Sequence, residues 1–385
     1  MKKNLNTLHQ EIYKVKPKDH YFSPGRINLI GEHTDYAGGY VLPIALSIGI
    51  YAAVSVRDDK VIAVYSDDFK DQGIHEIHIE TLEPPTGNDY IDYIQGLLHK
   101  FKREQCPCTH GLNITLMSDL PKASGVSSSA ALLVLIGYLL RDQFNLDLSP
   151  LKLARYARFV ENHYLNLHSG IMDPFVIAHG KQDHAIYLNS ERMTYETIPF
   201  KLTDHTLILM NTNKPRTLVD SDYNDRVYTV QQATRIFQNY RPIEALCDLS
   251  VSDFHQLKDR LGDAKTIQRI EHVIFENERT KQAKEALLDH DFTLFGDFMV
   301  QSHESLRYLY EVSCPELDYL VTENLRLGAL GARMTGAGFG GTMIALYPNE
   351  RLPKTFQPLI DGYLKAFNRR LEIFTATASD GVNKR

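Results

Sequence analysis

The sequence predicts a mixed α and β chain folded as two domains, on three observations. At 385 residues it is longer than one compact core normally serves. Strand-like alternation and helical 3.6-residue spacing both occur, and both recur in each half. Turns rich in small residues, at 121–131 and 331–341, stand beside strongly apolar runs. The first half is expected to end near Tyr195–Pro199, dividing the chain into 1–197 and 198–385.

Composition narrows the function. With 43% hydrophobic and 23% charged residues the chain is globular rather than disordered. A net charge of −6 argues against a nucleic-acid partner but permits a local anion pocket. Four cysteines are too few for a disulfide framework, and Cys106-Pro107-Cys108 lacks a second Cys/His pair at metal-finger spacing. No apolar segment follows Met1–Asn6, so no signal peptide is expected. The run Ala130–Leu140 is far short of the ~20 residues a membrane span needs. A cytoplasmic protein with no membrane partner is expected.

Taken in order, Leu5–Lys14 reads as a short amphipathic helix with Leu5, Leu8, Ile12 and Tyr13 on one side. Tyr21–Tyr36 is a strand broken by glycines that brings Arg26, Glu32, His33 and Asp35 within ten positions. Such charges are either solvated on a loop or gathered around a polar ligand, and the interleaved Ile27, Leu29 and Ile30 favour the ligand. Val41–Val56 reads as buried strand, Val61–Tyr65 and Ile74–Ile79 as further strands, and 84–88 as a turn-rich loop. Tyr90–Lys102 is helical.

Gly111–Leu116 is a strand, and Pro121–Ala131 a loop feeding the apolar helix Leu132–Leu140. The free N–H groups of that helix and its three serines suit an anion; the same stretch also reads as a serine-rich N-cap. Ser149 caps the next helix with Pro150 in its first turn. Glu161, at the end of that helix's apolar stripe, needs a cation if buried, or reaches water at the helix edge. Asp173, among apolar residues in 169–177, is a helix cap or a working group. His184–Leu188 and Thr206–Met210 are strands, with a polar loop at Asn211–Asp222. Helical spacing covers Arg226–Phe237, Arg269–Leu288 and Leu294–Tyr308. Gly331–Leu346 is a glycine-rich loop leading into a strand.

Three segments together, PGRINLIGEHTDYAGGYVLP (24–43), PKASGVSSSAAL (121–132) and GARMTGAGFGGTMIAL (331–346), resemble the galactokinases of the GHMP sugar-kinase superfamily. SGIMDPF (169–175), SDYNDR (221–226) and HVIFENERT (272–280) are similar as well. The resemblance spans nearly the whole chain. It implies an α+β fold of two GHMP kinase domains, the N-terminal like ribosomal protein S5 domain 2 and the C-terminal ferredoxin-like. It also implies transfer of the γ-phosphoryl of ATP to the C1 hydroxyl of α-D-galactose by a monomer using Mg2+.

Site roles follow from the same resemblance. Glu32, His33, Thr34 and Asp35, with Gly170 and Tyr223, match the sugar-binding positions, where carboxylates accept from hydroxyls. Ala123, Ser124, Gly125, Val126, Ser127, Ser128 and Ser129 match the phosphate loop, and Ser66 a further nucleotide contact. Ser129 and Glu161 match the magnesium ligands, hard oxygens that suit the ion. Asp173 matches the catalytic base and Arg26 its cationic neighbour; an Asp side chain with an ordinary pKa near ~3.9 is ionised at pH 7 and ready to accept a proton.

The chain departs from the family pattern at a few positions. Pro174 replaces a usual Gln and is expected to bias Asp173 toward an extended backbone. Ala337 replaces Gly, Val126 replaces Leu, and Asn213-Lys214-Pro215-Arg216 is less basic than usual. Non-catalytic sensors on this fold lack a Ser-Ala pair in the phosphate loop; Ser129-Ala130 is present here.

Overall fold

The structure, a computed structural model, describes residues 2–85, 90–122, 124–167, 169–214 and 219–385. Its strands are β1 (Asp19–Asn28), β2 (Tyr40–Val41), β3 (Pro43–Arg57), β4 (Val61–Ser66), β5 (Ile74–His78), β6 (Gly111–Ser118), β7 (His184–Asn189), β8 (Thr194–Pro199), β9 (His205–Asn211), β10 (Gly331–Met334), β11 (Thr342–Pro348), β12 (Glu372–Thr375) and β13 (Asn383–Lys384).

The first sheet runs β13-β1-β3-β6-β4-β5, antiparallel except where β4 lies parallel to β6. The helices Tyr90–Arg103, Ser128–Gln143, Pro150–Phe159 and Met172–His179 contribute to its core. Ser128–Gln143 buries residues on every side, which explains an apolar run too short for a membrane. Ser149 caps its helix as its sequence predicts, accepting from the Lys152 amide at 3.2 Å. Among the described residues no helix is long and apolar enough to cross a membrane.

The second sheet, β10-β11-β9-β12, is antiparallel throughout. Helical segments join β9 to β10 and β11 to β12, giving a βαββαβ order of the ferredoxin-like kind. This sheet separates two hydrophobic cores. Leu207 and Leu209 of β9 enter the core of the first sheet, whereas Ile208 and Met210 enter the second. On β11, Ile344 and Leu346 face one side and Met343, Ala345 and Tyr347 the other. A strand buried on both faces carries a continuous apolar run, as both of these do. A third sheet, β2-β7-β8, is small. The C-terminus returns to the first sheet through a Leu46–Ala378 bridge and the pairing of β13 with β1.

Several local expectations differ from the structure. The polar stretch up to Thr197, with Tyr195–Pro199, contains a strand, β8, whose exposed side chains look like linker because its outer face meets solvent. The helix expected to open at Tyr223 begins at Val219; residues 215–218, with Pro215 and Arg216, lie outside the described residues, as do 86–88 of the turn-rich loop. Asp173 is helical, inside Met172–His179. Pro174 fits there because the amides of a first turn have no intrahelical acceptor, so none is lost. In the N-terminal helix the most buried polar residue is His9, bonded to Thr115 (2.9 Å) and Ser55 (3.0 Å).

Candidate active site

The site begins at a bulge. β1 shifts register against β3 between Pro24 and Arg26. A side chain at Gly25 would meet the Val126 carbonyl oxygen at 2.9 Å and Leu120 at 2.7 Å, so glycine lets the 121–131 loop lie against the strand. The Arg26 amide then donates to Val126 O (3.1 Å) and its Nη1 to Gly125 O (2.8 Å). The rest of the Arg26 guanidinium meets Asp173 from 147 positions away: Nε donates to Oδ1 at 2.7 Å and Nη2 to Oδ2 at 2.5 Å. The Ser127 hydroxyl also donates to Oδ2. Across the loop Thr342 Oγ1 donates to the Ser124 carbonyl (2.7 Å), tying the second sheet to the first.

Two cavities meet here. One, of about 360 Å³, is lined by Arg26, Glu32, His33, Asp35, Gly170, Asp173 and Tyr223. The other, of about 510 Å³ and more apolar, is lined by residues including Ser66, Tyr90, Leu116 and Asn166. Ser128, Ser129 and Leu167 line both. Phe69 stacks on Tyr90 beside the larger cavity, with ring centroids 4.9 Å apart.

The smaller cavity holds most of the expected sugar residues. Glu32 is held by an ion pair and by hydrogen bonds. Arg333 Nη2 pairs with Oε2 (2.6 Å), to which Asn28 Nδ2 donates (2.9 Å); the Gly336 amide donates to Oε1 (2.8 Å), and Thr335 Oγ1, 3.2 Å from Oε1, shares its one proton with the Asn28 carbonyl (2.9 Å). His33 has a left-handed backbone, φ 64°. Its Nε2 lies 3.1 Å from the Ala337 carbonyl, which only accepts, so that nitrogen donates. Nδ1 therefore accepts from the Tyr36 hydroxyl (2.8 Å), which accepts in turn from Tyr310 (2.7 Å). Burial, with His272 nearby, lowers the His33 pKa to about 3, so the ring is neutral and walls the cavity beside Tyr223. Thr34 turns away: its hydroxyl is buried and bonds to the Gly31 and Tyr40 carbonyls.

Asp35 is the other carboxylate of this wall. Burial, with the charge of Asp173 adding, pushes its pKa up to about 6. The need for glycine at 170 is steric: a Cβ there would sit 1.6 Å from Asp35 Oδ2.

At the junction Glu161 is buried in a π-helical turn, Val160–Tyr164, a local form that recurs at functional sites. It accepts from Ser129 (3.1 Å) and Ser169 (2.5 Å). Burial pushes it up to about 7, opposed by the Ser169 bond and reinforced by Asp173. A buried carboxylate held by two hydroxyl donors fits a hard divalent ion. Among the described residues no three His, Cys, Asp or Glu side chains cluster as a metal site, so such an ion would lean on its substrate for ligands.

The expected phosphate loop is only partly assembled as foreseen. Ala123 lies outside the described residues. Ser124 is buried and donates to the Pro121 carbonyl (2.7 Å), and Val126 is buried; neither lines either of these two cavities. Gly125 and Ser127 border only the smaller cavity, while Ser128 and Ser129 stand at the junction and Ser66 borders the larger one. The sequence reading missed Arg333 and Ser169, though both lie in segments it singled out. Arg333 is the only charged residue in 331–346, and a lone charge in such a run signals a buried partner.

Comparison with known proteins agrees with this geometry. Residues 7–56 match the galactokinase galactose-binding signature, 92–181 the GHMP kinases N terminal domain, and 283–357 the GHMP kinases C terminal domain. A galactokinase of Enterococcus faecalis is 39% identical over 385 residues, covering 100% of both chains. One of Lactococcus lactis is 40% identical, covering 99% of this chain and 96% of that one. The crystal structure of Lactococcus lactis galactokinase complexed with galactose superposes with a TM-score of 0.95 at 36% identity, over 100% of this chain and 99% of that one. A mevalonate kinase structure, at 18% identity and TM-score 0.68 over 94% of this chain and all of that one, shares the fold.

Proposed function

The chain belongs to the galactokinase family, ATP-dependent kinases that phosphorylate galactose, and on that premise we propose the part each residue plays. The observation that carries the assignment is the Arg26–Asp173 pair in the polar cavity, which meets the more apolar one at Ser128, Ser129 and Leu167. Galactose occupies the polar cavity. Asp35 and Glu32, the latter braced by Arg333, Asn28 and the Gly336 amide, accept from its hydroxyls; His33 and Tyr223 shape the wall, and Gly170 leaves room for Asp35. Thr34 holds the turn from behind. ATP occupies the other cavity, past Ser66, with its phosphates at Ser128 and Ser129 and the first-turn amides of their helix.

Asp173 accepts the proton of the C1 hydroxyl as that oxygen forms a bond to the γ-phosphorus. The bond from the γ-phosphorus to the β,γ-bridging oxygen breaks, and ADP leaves with its electron pair. Galactose 1-phosphate departs and Asp173 releases its proton to water. Arg26 holds the carboxylate in line and offsets charge on the transferring phosphoryl, so catalysis is positioning plus electrostatics. Ser129 and Glu161 would hold Mg2+, which supplies charge neutralisation on the phosphates. The enzyme is proposed to act as a monomer, and an ATP-consuming enzyme with free thiols suits the cytoplasm.

The test is ADP release by the purified protein with Mg-ATP and, separately, galactose, N-acetylgalactosamine, arabinose, glucose or no sugar. Galactose-dependent release is expected, and Asp173→Asn should lose it while still binding galactose by calorimetry. Substantial turnover in Asp173→Asn would remove Asp173 from the role of base.

A further inference from the structure

Ser127 is placed oddly for a residue of a phosphate loop. It occupies the N-cap position of the helix Ser128–Gln143, yet its hydroxyl makes no capping bond. Its backbone is left-handed, φ 63° and ψ 51°, where a capping serine is normally extended. That region is disfavoured for any residue with a Cβ and persists only when the surroundings impose it. Here it turns the hydroxyl away from the helix amides and onto Asp173 Oδ2. Ser128 and Ser129 line both cavities, whereas Ser127 lines only the one that holds Asp173.

The donors on Asp173 are unevenly shared. Oδ2 accepts from both Arg26 Nη2 and Ser127, which fills the two lone-pair sites of one carboxylate oxygen. Among the described residues Oδ1 accepts only from Arg26 Nε. We propose that Ser127 is a positioning residue for the base rather than an ATP ligand: by loading Oδ2 it fixes the carboxylate rotamer and leaves Oδ1 as the oxygen that takes the sugar proton. This rests on Asp173 being the base.

The experiment compares Ser127→Ala and Ser127→Gly in the full-length enzyme with Mg-ATP and galactose, reading kcat, both KM values and thermal unfolding. Glycine tolerates the left-handed backbone without penalty, so Ser127→Gly should unfold at or above the wild-type temperature. Both variants should lose kcat by about ten- to hundredfold, the scale of the loss when a reacting group is misplaced by about 1 Å. Both KM values should stay within about threefold, because Ser127 orients the base and contacts neither substrate in this reading. The residual turnover of Asp173→Asn should fall no further when Ser127→Ala is added, since the two act as one unit. A Ser127→Gly enzyme at wild-type kcat overturns the proposal. So does a rise in the ATP KM with kcat intact, which would return Ser127 to the phosphates. Either result, beside an inactive Asp173→Asn, leaves the base assignment standing; turnover in Asp173→Asn alone overturns both.

Discussion

Gly170→Ala is a one-methyl change that drives the new side chain into the Asp35 carboxylate. The added Cβ would lie 1.6 Å from Asp35 Oδ2. An ordinary contact between two non-bonded heavy atoms is ~3.5 Å, so the carboxylate must retreat by about 2 Å. A sugar hydroxyl bonded to Asp35 does not survive a retreat of that size, because hydrogen bonds lapse well before ~3.6 Å. A bond to a charged acceptor contributes roughly 1.5–3 kcal/mol, which converts to about a ten- to hundredfold rise in the galactose KM. The backbone of Gly170 is not left-handed, so alanine adds no conformational strain there. Initial-rate kinetics with galactose varied at saturating Mg-ATP measure the effect, and calorimetry of galactose binding separates KM from Kd. The ATP KM should stay near wild type, since Gly170 lines only the sugar-side cavity. A galactose KM within about twofold of wild type would refute the steric account, and with it the role given to Asp35.

Four further outcomes are expected. Galactose affinity should fall as pH drops through about 6, because burial raises Asp35 to that value and the protonated acid no longer accepts fully. The sign for stability is opposite: a carboxyl with a raised folded-state pKa destabilises the fold when charged, a cost relieved as pH falls through about 6, so Asp35→Asn should be at least as stable as wild type at pH 7. Flat galactose binding by calorimetry from pH 8 to 5 would exclude this role. Arg333→Met leaves Glu32 charged and buried without its counter-ion and should cost about 3–5 kcal/mol in denaturant unfolding; adding Glu32→Gln should recover part of it. Pro174→Gln should change kcat less than about threefold, since Asp173 is already helical and residue 174 sits in a first turn where its amide has no intrahelical partner; a large gain would show that the proline misdirects the base.

What the chain determines locally was legible. Periodicity marked most strands and helices, as at Thr206–Met210 within β9 and at the Ser149 cap, because these depend on neighbours a few residues apart. The three glycine- and serine-bearing motifs marked the chemistry and the family, because phosphoryl transfer demands particular residue types close together in sequence. Only the tertiary structure decided how those motifs meet. Arg26 and Asp173 are 147 positions apart, and Arg333 finds Glu32 from the far sheet. The same motif residues diverge in use: Thr34 turns inward beside Asp35, and Ser124 is buried beside cavity-lining Ser127. Pro174 suggested an extended Asp173, but a helix start accommodates it. A side chain's direction is set by backbone dihedrals and by partners brought in from elsewhere, so residue identity and spacing specify which groups are available, and packing specifies which of them face the substrate.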